Sequence, residues 1–132
     1  MSELHRFLFD GLPVRGSIVR LTDAWKEILD RRSRSAGGEW PHPVIELVGE
    51  MAAAGALMQS NIKFNGALVL QIFGEGPVKL AVAEVQHDLT LRATAKVVGP
   101  VGANAHLPEM VNVGNKGRCA ITLDPKDKLP GQ

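Results

Sequence analysis

The chain has 132 residues, 45% of them hydrophobic and 22% charged, with 15 basic against 14 acidic side chains and a formal net charge of +1. This is the length of one domain and the balance of a folded globular chain, which excludes a disordered polymer. The near-zero charge offers no broad field for nucleic acid or anionic lipid; no apolar run approaches the roughly 18 residues of a membrane span, and the opening MSELHRFLFDG lacks a signal-peptide pattern. Leu4, Phe7, Leu8 and Phe9 form an apolar cluster, and Asp10-Gly11 before Pro13 supplies turn chemistry, so residues 4–21 read as two strands joined by a turn. Val14–Leu21 carries apolar residues on both parities, as in a strand with neither face fully wet. Thr22 stands where it can cap a helix whose apolar positions Leu21, Ala24, Trp25, Ile28 and Leu29 follow three-to-four spacing. Lys26, Arg31 and Arg32 gather toward its C-terminal end, where cations complement the helix dipole.

Residues 33–40 (SRSAGGEW) have loop composition. Pro41 and Pro43 open a second helix, on which Val44, Leu47, Val48, Met51, Gly55 and Met58 share a stripe. Its richness in alanine and glycine suits close approach, so this helix is expected to be largely buried. From Asn61 the period becomes two. Asn65-Gly66, between Ile62-Lys63-Phe64 and residues 67–73, carries the hairpin signal, and the second segment is apolar on both faces, like a strand buried between layers. Gly74-Glu75-Gly76-Pro77 is the next turn. Residues 78–85 and 89–98 follow as strands around His87-Asp88, with Leu89, Leu91, Ala93, Ala95 and Val97 on a dry face and Thr90, Arg92, Thr94 and Lys96 on a wet one. Residues 99–117 are loop-like with one helical turn within Leu107–Val113; residues 117–123 form a last strand, and Asp124–Gln132 (DPKDKLPGQ) is turn and linker chemistry.

No pattern assembles an active site. The single cysteine, Cys119, closes no intramolecular disulfide and builds no cysteine-rich zinc site, in keeping with a cytoplasmic chain. It alternates with Ile121 and Leu123 and reads as a small core residue, although Arg118 beside it would favour a reactive thiolate. His5, His42, His87 and His106 share no metal-ligand spacing. Gly74-x-Gly76 precedes a strand, not the helix N-terminus that a dinucleotide site requires. Ser33, Ser35 and Ser60 have no nucleophile-elbow context, and Glu46 with Glu50 reads as a solvated helix pair. Arg31, Arg32 and Arg34 form a basic run diluted by Glu27, Asp30 and Glu39.

Several segments together resemble the heat shock protein 33 (33 kDa chaperonin) family. They are LHRFLF (Leu4–Phe9), VRGSIVRL (Val14–Leu21), HPVIELVGEMAAAGALM (His42–Met58), IKFNGALVLQIFGEGPVKLAVAE (Ile62–Glu84), LRATAKV (Leu91–Val97) and GNKGRCAITLDP (Gly114–Pro125). The match runs in order along nearly the whole chain; Phe73 stands where many relatives carry Gln. The resemblance implies a cytoplasmic, ATP-independent, redox-regulated holdase that binds unfolding proteins and prevents their aggregation under oxidative and heat stress. It implies no enzymatic activity, and it implies zinc in a C-terminal switch whose CxC and CxxC ligands lie beyond Gln132, so that Cys119 is not a ligand. Residues 1–132 would then be an N-terminal chaperone domain, truncated, with the zinc switch absent.

The expected fold is α+β: two antiparallel β-sheet layers with helices packed on them, a β/β/α sandwich. The expected partners are unfolded or oxidatively damaged clients, with Met51, Met58 and Met110 either adaptable contacts or core residues. A homodimer by strand or element exchange is expected, and neither nucleic acid nor membrane. The alternatives are a dimerisation or interaction module without chaperone activity of its own, and a small-molecule-binding domain; a cavity with converging polar groups would favour the latter, a broad apolar patch the holdase.

Overall fold

The structure is a computed structural model that describes residues 2–35, 37–62 and 65–125. Strands β1 (Ser2–Leu8) and β2 (Arg15–Leu21) form an antiparallel hairpin, with Leu4 opposite Val19 and Phe7 opposite Gly16. Helix α1 (Thr22–Ser33) follows directly, and α2 (His42–Ser60) begins after Pro41 with Pro43 in its first turn. Strands β3 (Gly66–Phe73), β4 (Val78–Gln86), β5 (Leu91–Val97) and β6 (Arg118–Pro125) make a four-stranded sheet in the order β5-β4-β3-β6, and the short helix α3 (Leu107–Val111) lies between β5 and β6. Every strand pairing is antiparallel. The fold is α+β, with two antiparallel sheets and three helices.

Thr22 does not cap α1. It is the first helical residue; Leu21 occupies the cap position, and no side chain of that residue serves. The pairing of Ser2 with Leu21 brings the Ser2 hydroxyl to the helix start instead, where its Oγ accepts the Ala24 backbone N–H at 3.1 Å. An orphan donor of the first turn is thus satisfied from a neighbouring strand.

The Asn65-Gly66 hairpin is also corrected. Lys63 and Phe64 lie outside the described residues, but β3 starts at Gly66 and pairs with β4 along one edge and β6 along the other. No edge of β3 remains for a strand preceding Asn65, so the dipeptide leads from α2 into the sheet. Leu89 falls in the β4–β5 turn at φ 67°, so β5 begins at Leu91. Asp124 and Pro125 belong to β6, paired with Ala67 and Gly66, and the rest of the expected linker (Lys126–Gln132) lies outside the described residues.

Opposed residues of antiparallel strands share a face, so three rows run across the helix side of the sheet. They are Leu91–Val85–Leu68–Leu123, Ala93–Ala83–Leu70–Ile121 and Ala95–Ala81–Ile72–Cys119. The rows are poor in bulk on β4 and β5 and rich in it on β3 and β6. Helix α2 lies over the small end, packing mainly on β4 and β5. A Cβ at Gly55 would stand 3.1 Å from Val85 Cγ2, so glycine there sets the approach. The stripe Val44, Leu47, Val48, Met51 and Gly55 is buried as expected, with Ala52 and Ala56 beside it. A helix about 10 Å across spans about two strands at about 4.8 Å spacing, so α2 leaves the far edge of the sheet bare.

Two residues on this face separate the covered from the uncovered region. Leu68 is 0% exposed and Ile121 is 55% exposed. Leu68→Ala is expected to cost about 2–5 kcal/mol, whereas Ile121→Ala should cost about 0.5 kcal/mol or less. Chemical denaturation measures both, and equal losses would contradict the open sheet face.

Candidate functional site

The polar candidates are dispersed and engaged locally. The His5 ring lies 2.9 Å from Glu3 on the hairpin, where Arg20 also stands 3.4 Å from the same carboxylate. The hydrogen bond with His5, then the nearby positive charges, hold the half-buried Glu3 below the ordinary carboxylate range. His42 pairs with Glu46 one turn along α2 at 2.9 Å, leaving Glu50 as a separate exposed charge. His87 lies in the β4–β5 turn, where Asp88 accepts the Thr90 N–H at 3.0 Å; that bond lowers the Asp88 pKa. His106 precedes α3. Among the described residues no three His, Cys, Asp or Glu side chains converge on one point.

The serines are structural. Ser33, Ser35 and Ser60 donate their hydroxyls to the carbonyls of Asp30, Arg32 and Leu57, each at 2.8 Å. Arg31 and Arg34 pair along α1 with Glu27 and Asp30 at 2.7 Å, and the Arg32 guanidinium stacks over Trp40 at 5.2 Å. The basic run is therefore absorbed by the helix and the loop behind it. In the Gly74-Glu75-Gly76-Pro77 turn, a side chain at Gly74 would run into the Val111 carbonyl, and Gly76 sits at φ 142° against the Met110 carbonyl. Both glycines admit the backbone of α3, and no ligand role is needed to explain them.

Cys119 is exposed and is not a core residue. It does alternate with Ile121 and Leu123 on one face, but α2 does not extend over β6, so that face is open. Met51 and Met110 are both 4% exposed and belong to the core, with Met58 packed partly buried against it. Met51 and Met110 are therefore not available as surface contacts.

Apolar surface is the feature that remains. On the hairpin Phe7, Leu8, Phe9, Leu12, Val14 and Ile18 are all exposed, Leu8 to 80% and Ile18 to 62%. Phe7 lies across Gly16 on the opposite strand, its ring where a Gly16 side chain would be, and its centroid is 6.0 Å from that of Phe9. Glycine at 16 therefore frees the ring to spread along the outer face of the hairpin. Arg6 fixes the hairpin on the domain by donating from Nη2 to the Ser60 carbonyl at 2.7 Å, at the C-terminal end of α2 where a cation is favoured.

Below this hairpin a cleft of about 810 Å³ runs to the C-terminal end of α2, with Phe7, Leu8, Ile62 and Leu89 among its walls. Gln59, 3% exposed, borders it; its Nε2 donates to the Gly66 carbonyl at 3.2 Å, while Oε1 has no partner. The cleft is open and continuous with the apolar hairpin. A second apolar area lies on the bare edge of the sheet, where Ile121 and Leu123 are 55% and 48% exposed. The exposed hairpin and the bare sheet edge can hold apolar chains of varied sequence by area, while the cleft between hairpin and helix also brings Arg6, Arg15, Ser17, Gln59 and His87 to its walls. The apolar cluster of Phe7, Leu8 and Phe9 follows from the sequence; that nothing in the described chain covers it, or Ile18 beside it, does not.

Comparison with known proteins agrees with the earlier resemblance. The family model described as Hsp33 protein matches residues 2–132. The 33 kDa chaperonin of Chromobacterium violaceum is 45% identical over 124 residues, covering 94% of this chain and 39% of the relative. That of Methylobacillus flagellatus is 43% identical over 125 residues, with 94% and 39% covered. That of Aliivibrio salmonicida is 38% identical over 124 residues, with 94% and 40% covered. The chain thus spans about two-fifths of the length of these relatives.

Arg6→Ala removes the bond that anchors the hairpin without touching its apolar residues. Amide exchange in β1 and β2 is expected to accelerate several-fold while exchange in β3 and β4 stays unchanged. Equal protection of the hairpin in both proteins would mean that Arg6 does not anchor it.

Proposed function

The chain belongs to the Hsp33 protein family, and on that premise we propose that it is the N-terminal chaperone domain of an ATP-independent, redox-regulated holdase of the cytoplasm. It holds unfolding or oxidatively damaged proteins on apolar surface and keeps them from aggregating during oxidative and heat stress. The observation that carries this reading is the exposed hairpin surface from Phe7 to Ile18, continuous with the cleft beneath it. A holdase needs contiguous nonpolar area, tolerant of sequence, and it needs no nucleophile, general base or nucleotide. The dispersed histidines, serines and carboxylates suit that role, and no catalysis is assigned to them.

The zinc implied by the family finds no fitting donor set here: the chain has one cysteine, and among the described residues no three candidate ligands come together. No step of the proposed action therefore runs through a metal held by this chain. Among the described residues no helix is long and apolar enough to cross a membrane. Self-association as a homodimer belongs to the same reading, because among the described residues β5 and β6 are the outer strands of the larger sheet.

Suppression of thermal aggregation of an unrelated enzyme tests the assignment. Replacing Phe7, Leu8 and Ile18 together by Ser should reduce suppression several-fold while changing stability by only about 0.5 kcal/mol per site. Undiminished suppression by the triple variant would remove the hairpin from the client surface.

Peroxide treatment should leave the activity of this chain unchanged. Cys119 is exposed and oxidisable, but it is the only thiol, so no disulfide within the chain can convert oxidation into unfolding. The assay is run before and after peroxide, with Cys119→Ser alongside. A gain abolished by that substitution would make Cys119 a sensor; a gain surviving it would defeat this account of the switch.

A further inference from the structure

A groove of about 520 Å³ runs between α1, the loop that follows it and β5, a volume in the range of small-ligand sites. Ile28, Leu91 and Ala93 give it an apolar wall, and Arg31, Arg32 and Arg92 stand around that wall. Two of the three cations are already matched: Arg31 lies 2.7 Å from Glu27, and Arg92 lies 2.7 Å from Glu84. Arg32 forms no ion pair among the described residues, and its guanidinium rests over the Trp40 ring at 5.2 Å. Gly37 makes room for that stack, since a Cβ there would stand 2.5 Å from Arg32 Nη2.

The stack leaves two buried donors without an acceptor. Trp40 is 5% exposed and its Nε1 has no partner; Arg32 Nε is likewise buried and unpartnered. Buried N–H groups are nearly always hydrogen-bonded, and two donors cannot satisfy each other. The missing partner is an acceptor, and the chain does not supply it. Among the described residues the one carboxylate on the groove wall is Glu27, which Arg31 holds. A water accepts such bonds but leaves the Arg32 charge uncompensated, whereas an anion answers both needs. Both donors are sealed while the guanidinium lies on the indole, so the anion reaches them by drawing Arg32 off the ring.

We infer that this groove binds a small organic monocarboxylate with a hydrocarbon body. The carboxylate takes the planar fork of Arg32 through its two oxygens and accepts the Trp40 Nε1–H. The hydrocarbon lies along Ile28, Leu91 and Ala93. One unmatched cation selects a single negative charge, so a carboxylate suits the site better than a phosphate dianion. No residue of the apolar hairpin lines this groove, so the site is separate from the client surface and does not rest on the chaperone reading.

Titration of the 132-residue chain with octanoate, octanol and inorganic phosphate tests the site. The chain has two tryptophans, so Trp25→Phe leaves Trp40 as the only indole, and its emission should change saturably with millimolar octanoate. In that background Arg32→Gln should raise the octanoate dissociation constant roughly tenfold. Trp40→Phe in the otherwise unaltered chain, followed by calorimetry, should raise it several-fold. Arg32→Gln should leave suppression of thermal aggregation unchanged, which keeps a failure of this site distinct from a failure of the chaperone reading. Octanol bound as tightly as octanoate would make the groove merely apolar and overturn the inference. An octanoate affinity indifferent to Arg32→Gln, or no saturable change at all, would overturn it too. A stronger response to inorganic phosphate than to octanoate would overturn the choice of a carboxylate. Circular dichroism checks that each variant keeps the fold.

Discussion

The fold depends on the contact between α2 and the alanine-rich strands β4 and β5. Close approach requires that both surfaces lack bulk where they meet, and Gly55 over Val85 and Ala83 meets that requirement. Buried Val44, Val48 and Met51 then seal the helix onto the sheet together with Leu68 and Leu70. Packing at this density tolerates little change in volume, so the position of α2 is well determined. A fixed position for one narrow helix also fixes what it fails to cover.

The uncovered parts have distinct physical origins. On the sheet, β6 lies beyond the width of α2, so Cys119, Ile121 and Leu123 continue the core face without a lid. On the hairpin, Leu4, Val19 and Leu21 are part-buried near the helices, whereas Phe7, Leu8, Phe9 and Leu12 project past them. Two polar contacts hold that projection in place: Ser2 at the start of α1 and Arg6 at the end of α2. The hairpin therefore offers apolar area on a support anchored by hydrogen bonds at both helices. This combination of a dense core and bare margins gives physical content to the family assignment.

Much of the site was legible in outline. The hydrophobic residues of the hairpin, the stripe on α2, the alternation on β5 and the two glycines at 74 and 76 each follow from local pattern or from backbone sterics. The pattern could not tell an apolar residue inside from one outside, because periodicity reports which residues share a face and not what lies over that face. Met51 and Ile121 illustrate this. Both sit on apolar faces; one is sealed between helix and sheet, and the other looks into solvent.

By itself the sequence determined the element types, the α+β class, the family and the lack of local catalytic or metal-ligand motifs, since these depend on residue spacing, turn chemistry and side-chain inventory. Tertiary structure alone decided the partners of each edge and the cover of each face. Asn65-Gly66 is the same dipeptide whether it closes a hairpin or leads out of a helix, and the outcome rested on β6, some fifty residues away, taking the second edge of β3. Ser2 replaced Thr22 at the start of α1 for the same kind of reason: strand pairing delivered a hydroxyl there. Cys119 was exposed because a single helix spans about two strands, a limit of width that no run of residues along one strand encodes.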